Sequence, residues 1–93
     1  MKVTLELGRA FSKEAGLSRL ELEMRAGASA GDLLLAAGAA LPALSCVDRA
    51  SGAVDLAAAN LSVNGRPVDP RTPERTALQD GDRCYLYGVM SGG

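Results

Sequence analysis

The residues of this 93-residue chain grouped most suggestively for chemistry stand at its end, where Met90-Ser91-Gly92-Gly93 follows directly on a strand-like run, Arg83-Cys84-Tyr85-Leu86-Tyr87. A terminal Gly-Gly can be no more than a frayed end. It can also mean that the C-terminal carboxylate of Gly93 is the working group. An α-carboxyl titrates near pH 3.3–3.7, so at neutral pH it is an anion and a poor electrophile, and such a group has to be activated before it can react. Two residues without a Cβ let the chain pass through a narrow channel into another protein's active site, and a side chain at Gly92 would obstruct that passage. Ser91 is small for the same reason; its hydroxyl has no base nearby in sequence and is read as incidental. Val89 and Met90 are the candidates for apolar anchors at the mouth of the channel.

Rival chemistries are poorly provided for. The chain has no His, which removes the commonest general base and metal ligand. Cys46 and Cys84 stand too far apart in sequence to suggest a metal site by themselves and read as two small buried or half-buried thiols. Neither a catalytic site nor a metal site is therefore expected, and the chain reads as one that is acted upon, or that binds, and not as an enzyme. Charge is nearly balanced, with 10 Lys and Arg against 11 Asp and Glu, and no basic stripe is interleaved with aromatics. Nucleic acid is not an implied partner. No apolar run approaches the roughly 18 residues of a membrane span, and Met1-Lys2-Val3-Thr4-Leu5-Glu6 alternates where a secretory signal would be continuously apolar, so a cytoplasmic, membrane-free protein is expected.

Ninety-three residues, 47% of them apolar and 23% charged, suit one globular domain with a modest core. Val3, Leu5 and Leu7 alternate with Lys2, Thr4 and Glu6, and Leu20, Leu22 and Met24 with Arg19, Glu21, Glu23 and Arg25, so two half-buried strands are predicted as an antiparallel hairpin. The connection from Gly8 to Gly16 reads as a loop, too polar for a core strand and too short for a stable helix of its own. Its Phe11, the only Phe, is read chiefly as a plug for the edge of the core and also as a candidate interface residue. Ser29, followed by Asp32 and a Leu-Ala run, caps a predicted helix from about Ala30 to Leu41 with Ala30, Leu33, Leu34, Ala37 and Leu41 turned inward. Gly38 weakens that helix by about 1 kcal/mol relative to Ala, and Pro42 stops it.

Residues 43–59 read as an insertion with some order, carrying a turn at Asp48-Arg49-Ala50-Ser51-Gly52. Leu61-Ser62-Val63 then forms a short strand, Asn64-Gly65 the hairpin turn, and Arg66-Pro67-Val68 a brief edge strand. Turns run on through Asp80-Gly81-Asp82, and the last strand sets Cys84 and Leu86 against Tyr85 and Tyr87 on opposite faces. The whole is an α+β domain, one main helix over a mixed sheet of four to five strands. Residues 1–87 form the domain and 88–93 a flexible tail. A final strand in the middle of the sheet would hold that tail at its base and leave its tip free. Tyr85 and Tyr87, facing away from the core, are candidates for a partner interface.

In this order the motifs resemble the ubiquitin-like β-grasp sulfur carriers, the MoaD and ThiS group. The residues that carry the resemblance are Ser29-Ala30-Gly31-Asp32-Leu33-Leu34, then Leu61-Ser62-Val63-Asn64-Gly65-Arg66-Pro67-Val68, then Leu78-Gln79-Asp80-Gly81-Asp82, and finally Ser91-Gly92-Gly93. The long segment between helix and third strand is closer to MoaD, the small subunit of molybdopterin synthase. Where that branch commonly has two prolines this chain has Gly88-Val89, so related pathways stay open: tungsten cofactor, thiamin, tRNA thiolation and amino-acid synthesis.

The resemblance implies a carrier that binds no cofactor. An activating enzyme of the MoeB/ThiF type uses ATP to adenylate the Gly93 carboxylate, a sulfur donor protein displaces AMP, and the resulting thiocarboxylate passes its sulfur to a precursor on a larger, MoaE-like synthase subunit. Some members of the group also attach to lysines, which leaves as the second alternative a ubiquitin-like modifier joined through Gly93.

Overall fold

The structure is a computed structural model that describes residues 1–55 and 58–88. Seven principal elements follow one another: β1 (Lys2–Leu7), α1 (Arg9–Ala15), β2 (Arg19–Glu23), α2 (Ala30–Ala40), β3 (Ala59–Val63), β4 (Arg66–Pro67) and β5 (Arg83–Gly88). The five strands make one mixed sheet in the order β2-β1-β5-β3-β4. β1 pairs antiparallel with β2 and parallel with β5, while β3 is antiparallel to both β4 and β5. This is the β-grasp arrangement, with the last strand in the sheet centre.

The alternation of apolar and polar residues sets the two faces. Val3, Leu5, Leu61, Cys84 and Leu86 are fully buried or nearly so on the inner face, and each large aliphatic side chain so placed contributes about 1.5–3 kcal/mol of burial. The predicted stripe of α2, Ala30, Leu33, Leu34, Ala37 and Leu41, is buried in the same cluster. Its start is a reciprocal capping box: Ser29 Oγ accepts from the Asp32 amide at 3.2 Å, and an Asp32 carboxylate oxygen accepts from the Ser29 amide at 2.9 Å. The bond from the Ser29 amide, with the nearby Arg25 guanidinium at 3.1 Å, holds the Asp32 carboxyl below the usual range.

Three details depart from the sequence expectation. The Gly8–Gly16 connection is a seven-residue helix, α1, in place of a loop. Phe11 is buried in the core cluster, and Gly16 donates its amide to the Ser12 carbonyl at 2.9 Å. A helix too short to persist alone is thus held by one aromatic anchor, its own C-cap and its position against the sheet. β5 reaches Gly88, opposite Ala59, one residue beyond the predicted Tyr87, and β3 begins earlier than expected for the same reason. Between Asp69 and Leu78 the expected turns include a short 3₁₀ helix, Pro73–Arg75.

The insertion is ordered along its described part. Leu44, Cys46, Val47 and Val54 enter the core, Val47 bridges Val54, and the Gly52 amide closes the predicted turn on the Asp48 carbonyl at 2.7 Å. Gly38 is the reason it packs closely: a Cβ there would lie 3.2 Å from Val47 Cγ1 and 3.3 Å from Arg49 Cα. The glycine that weakens α2 is where the insertion lies down on it. Cys46 and Cys84 are free thiols, both buried.

Candidate functional site

β5 is the element on which the candidate site depends, and the motif residues serve to fix it. The Asn64-Gly65 pair turns β3 into β4 with both φ angles positive, 52° and 82°, the geometry of a type I′ hairpin turn. The same Asn64 then reaches the start of β5. Its side-chain oxygen accepts from the Arg83 amide at 2.9 Å, its side-chain nitrogen donates to the Asp82 carboxylate at 2.9 Å, and its backbone amide donates to the Arg83 carbonyl at 2.7 Å.

The second Asp82 oxygen accepts from the Gln79 amide at 2.7 Å, closing the turn that precedes the strand. Asp80 accepts from the Lys2 amide at 2.7 Å, the Gly81 amide donates to the Lys2 carbonyl, and the Thr4 amide donates to the Asp82 carbonyl. Hairpin, turn and β1 are therefore tied together at the entrance to β5, and the register Leu5 opposite Cys84 and Val63 opposite Cys84 follows. The Asn-Gly and Asp-Gly-Asp motifs do positioning work; they are not themselves reactive.

At the other end of β5, Gly8 lies flat against the strand. Its amide donates to the Leu86 carbonyl at 2.7 Å, and a Cβ would meet Tyr87 Cα at 3.2 Å and the Leu86 carbonyl oxygen at 3.3 Å. The start of α1 is thereby pressed on the last residues of the strand, with β3 on its other side through the Ala59–Gly88 and Asn60–Tyr87 pairs. Gly8 was visible in sequence only as a single glycine ending an alternating run; its close approach to β5 was not predicted. Gly93, Gly92, Ser91, Met90 and Val89, the expected reactive end and threading residues, lie outside the described residues.

Tyr85 and Tyr87 share the outer face of β5 as expected. Their rings stack with centroids 5.3 Å apart and planes 20° from parallel, and Tyr85 remains 45% exposed. Arg83 and Glu6 form an ion pair at 2.9 Å on the same face. Glu6, Ser62, Asn64, Arg83 and Tyr85 border an open recess of about 370 Å³. A stacked aromatic pair beside polar groups on a sheet face provides contact area that loses little side-chain entropy when covered. Phe11 is buried, as its reading as a core plug requires.

Beneath that face, burial pushes the Cys84 thiol up to about 11, with Asp82 adding to the effect. Burial does the same for Cys46, also to about 11. Neither is a ready nucleophile, because the thiolate is the reactive form. Among the described residues no group of three or more His, Cys, Asp or Glu side chains is gathered to hold a metal ion. Nor is any helix among them long and apolar enough to cross a membrane.

No protein-family model and no curated protein sequence matches the chain. Solved structures do. The chain is similar to the small archaeal modifier protein SAMP1 of Haloferax volcanii, at 24% identity, TM-score 0.82 and full coverage of both chains. It is similar to a Pyrococcus furiosus protein assigned as molybdopterin converting factor, subunit 1, at 24% identity and TM-score 0.76, over 97% of this chain and 99% of the other. SAMP1 of Methanosarcina acetivorans matches at 23% identity and TM-score 0.74, over 99% and 96%. These neighbours are MoaD/ThiS-like ubiquitin-fold proteins, the group that the sequence motifs resemble. At such identities the likeness establishes the fold.

Proposed function

We propose that this chain is a sulfur carrier whose C-terminal Gly93 carboxylate is activated and thiolated by other proteins. The observation that carries the reading is the place of β5: a central strand held on both edges as far as Gly88, with Val89-Met90-Ser91-Gly92-Gly93 next in the sequence. A rigid base with a short small-residue extension suits delivery of a carboxylate into a partner's channel.

In the proposed chemistry a Gly93 carboxylate oxygen attacks the α-phosphorus of ATP on a MoeB/ThiF-type activating enzyme, and pyrophosphate leaves. A sulfide-level donor then attacks the acyl carbon and AMP departs, leaving a thiocarboxylate whose sulfur is nucleophilic. The chain acts as a protein co-substrate, and catalysis belongs to its partners. A MoaE-like synthase subunit and the molybdopterin pathway are the preferred destination, supported by the likeness to the Pyrococcus converting factor subunit. Tyr85 and Tyr87 supply the docking face and Val89 and Met90 the anchors at the channel mouth. We place the reaction in the cytoplasm, with neither nucleic acid nor membrane required.

The likeness to two archaeal modifiers favours a second reading, in which a lysine amine of another protein attacks the same adenylated carbon and forms an isopeptide bond. Both readings are tested by ATP–pyrophosphate exchange with the adenylating enzyme of the same genome. Exchange is expected with the full chain and not with the chain lacking Gly93, whose melting temperature should be unchanged. Equal exchange with the shortened chain would sink both.

A further inference from the structure

The Asn64-Gly65 pair, unreactive in the closed joint at the entrance to β5, carries the atoms of a further reaction. An asparagine side chain is an amide, and the main-chain nitrogen of the next residue can close on its Cγ to form a five-membered imide. Glycine hinders that closure least, having no Cβ to crowd the approach. The Gly65 amide finds no hydrogen-bond partner among the described residues, and a Cβ built there would meet nothing within 4 Å, so the nucleophile stands in water. Two comparable places in the chain differ. At Asp80-Gly81 both members are engaged, Asp80 by the Lys2 amide and the Gly81 amide by the Lys2 carbonyl. Asn60, the only other Asn, precedes Leu61, a branched residue buried inside β3.

The geometry of Asn64 is what prevents the reaction in the folded chain. Its φ of 52° puts it in the left-handed region. With ψ about +47° there, the following nitrogen lies anti to the residue's own Cβ, across the Cα–C bond from the side chain. Attack requires rotation about that bond. The side chain is held from the other direction: its oxygen accepts from the Arg83 amide and its nitrogen donates to the Asp82 carboxylate, each at 2.9 Å. The Asn64 amide donates to the Arg83 carbonyl at 2.7 Å. Ring closure needs Cγ turned towards Gly65, which breaks the two side-chain bonds.

We propose that Asn64-Gly65 is a latent modification site, a spontaneous deamidation point that the bonds to Asp82 and Arg83 hold closed and that reacts when the hairpin parts from β5. In the opened joint the Gly65 nitrogen gives up its proton and attacks the Asn64 Cγ. The bond from Cγ to Nδ2 breaks, and that nitrogen leaves as ammonia, taking up a proton in exchange. Water then opens the succinimide, at Cγ to give aspartate or at the main-chain carbonyl carbon of residue 64 to give isoaspartate. One water enters, one ammonia leaves, and nothing is oxidised or reduced. Either product sets a carboxylate where the Asp82 carboxylate had a donor at 2.9 Å, and isoaspartate adds a main-chain carbon to a two-residue turn. The like charges oppose reclosure, so the joint stays loosened once the reaction has occurred. Nothing in this reaction uses Gly93.

The test is mass mapping of the Asn64-containing peptide after incubation of the full chain in mildly alkaline buffer, comparing the folded parent, the parent in denaturant and Asp82→Ala. The signal is the mass gained when an amino group becomes a hydroxyl, with isoaspartate assigned from fragment ions and folding checked by circular dichroism on the same samples. A reaction confined to the opened joint follows the population of that state, so Asp82→Ala should deamidate about tenfold faster than the parent, and the denatured chain faster still. Asn60 should remain an amide in both folded chains. A folded parent that deamidates as fast as the denatured chain would overturn the proposal, as would a folded Asp82→Ala chain no faster than the parent. Should Asp82→Ala not fold, the parent's own folded and denatured rates still decide.

Discussion

Two kinds of residue lie on β5, and they answer to different tests. The stacked Tyr85–Tyr87 pair faces out, and its truncation removes contact area without touching the core. Tyr85→Ala is expected to weaken binding to the activating enzyme about tenfold, a loss of roughly 1.4 kcal/mol. Its melting temperature should stay close to that of the parent, and a titration by calorimetry checks both. Facing in, Cys84 and, from the insertion, Cys46 are thiols whose burial raises them from 9.0 to about 11. The folded state then holds protons that the unfolded state gives up, so the associated stability is fully present below pH 9 and is lost as pH rises towards 11. The melting temperature should fall across that window, and at pH 8 both thiols should alkylate slowly until the chain is unfolded by denaturant.

At the level of elements, the motifs that carried the family resemblance are joints. Asn64 closes a turn and holds both Asp82 and Arg83, so the hairpin and the entrance to β5 act as one unit. Asn64→Ala and Asp82→Ala are each expected to cost about 1–2 kcal/mol. The double variant should cost less than their sum, because either change already breaks the shared bond; chemical denaturation of the four chains measures this coupling. The strands, α2 with its cap and the Asn-Gly turn were legible in the sequence because each is written locally, in a period of two, a stripe at helical spacing or a residue pair that tolerates positive φ. α1 was not, since its stability comes from Phe11 in a distant core and from its place beside β5. Gly8 and Gly38 were seen as breaks, while their use as points of close approach to β5 and to the insertion depends on tertiary neighbours that no local pattern records.

At the scale of the whole molecule, the order β2-β1-β5-β3-β4 places the last strand between its neighbours. A final strand in the middle of the sheet was anticipated only as the arrangement that would hold the tail at its base, because no local pattern distinguishes a central strand from an edge strand with one apolar face. The order pairs β5 on both edges as far as Gly88, the residue that precedes Val89-Met90-Ser91-Gly92-Gly93 in the sequence. The central claim is that Gly93 is the chemical end of this chain. Its most direct test is intact and fragment mass measurement of the chain after incubation with the adenylating enzyme of the same genome, ATP and sulfide. The account predicts exchange of one oxygen for sulfur, carried only by fragments that contain Gly93 and dependent on ATP. A chain that remains unmodified while the enzyme converts its other carriers, or a sulfur located on Cys46 or Cys84, would contradict it.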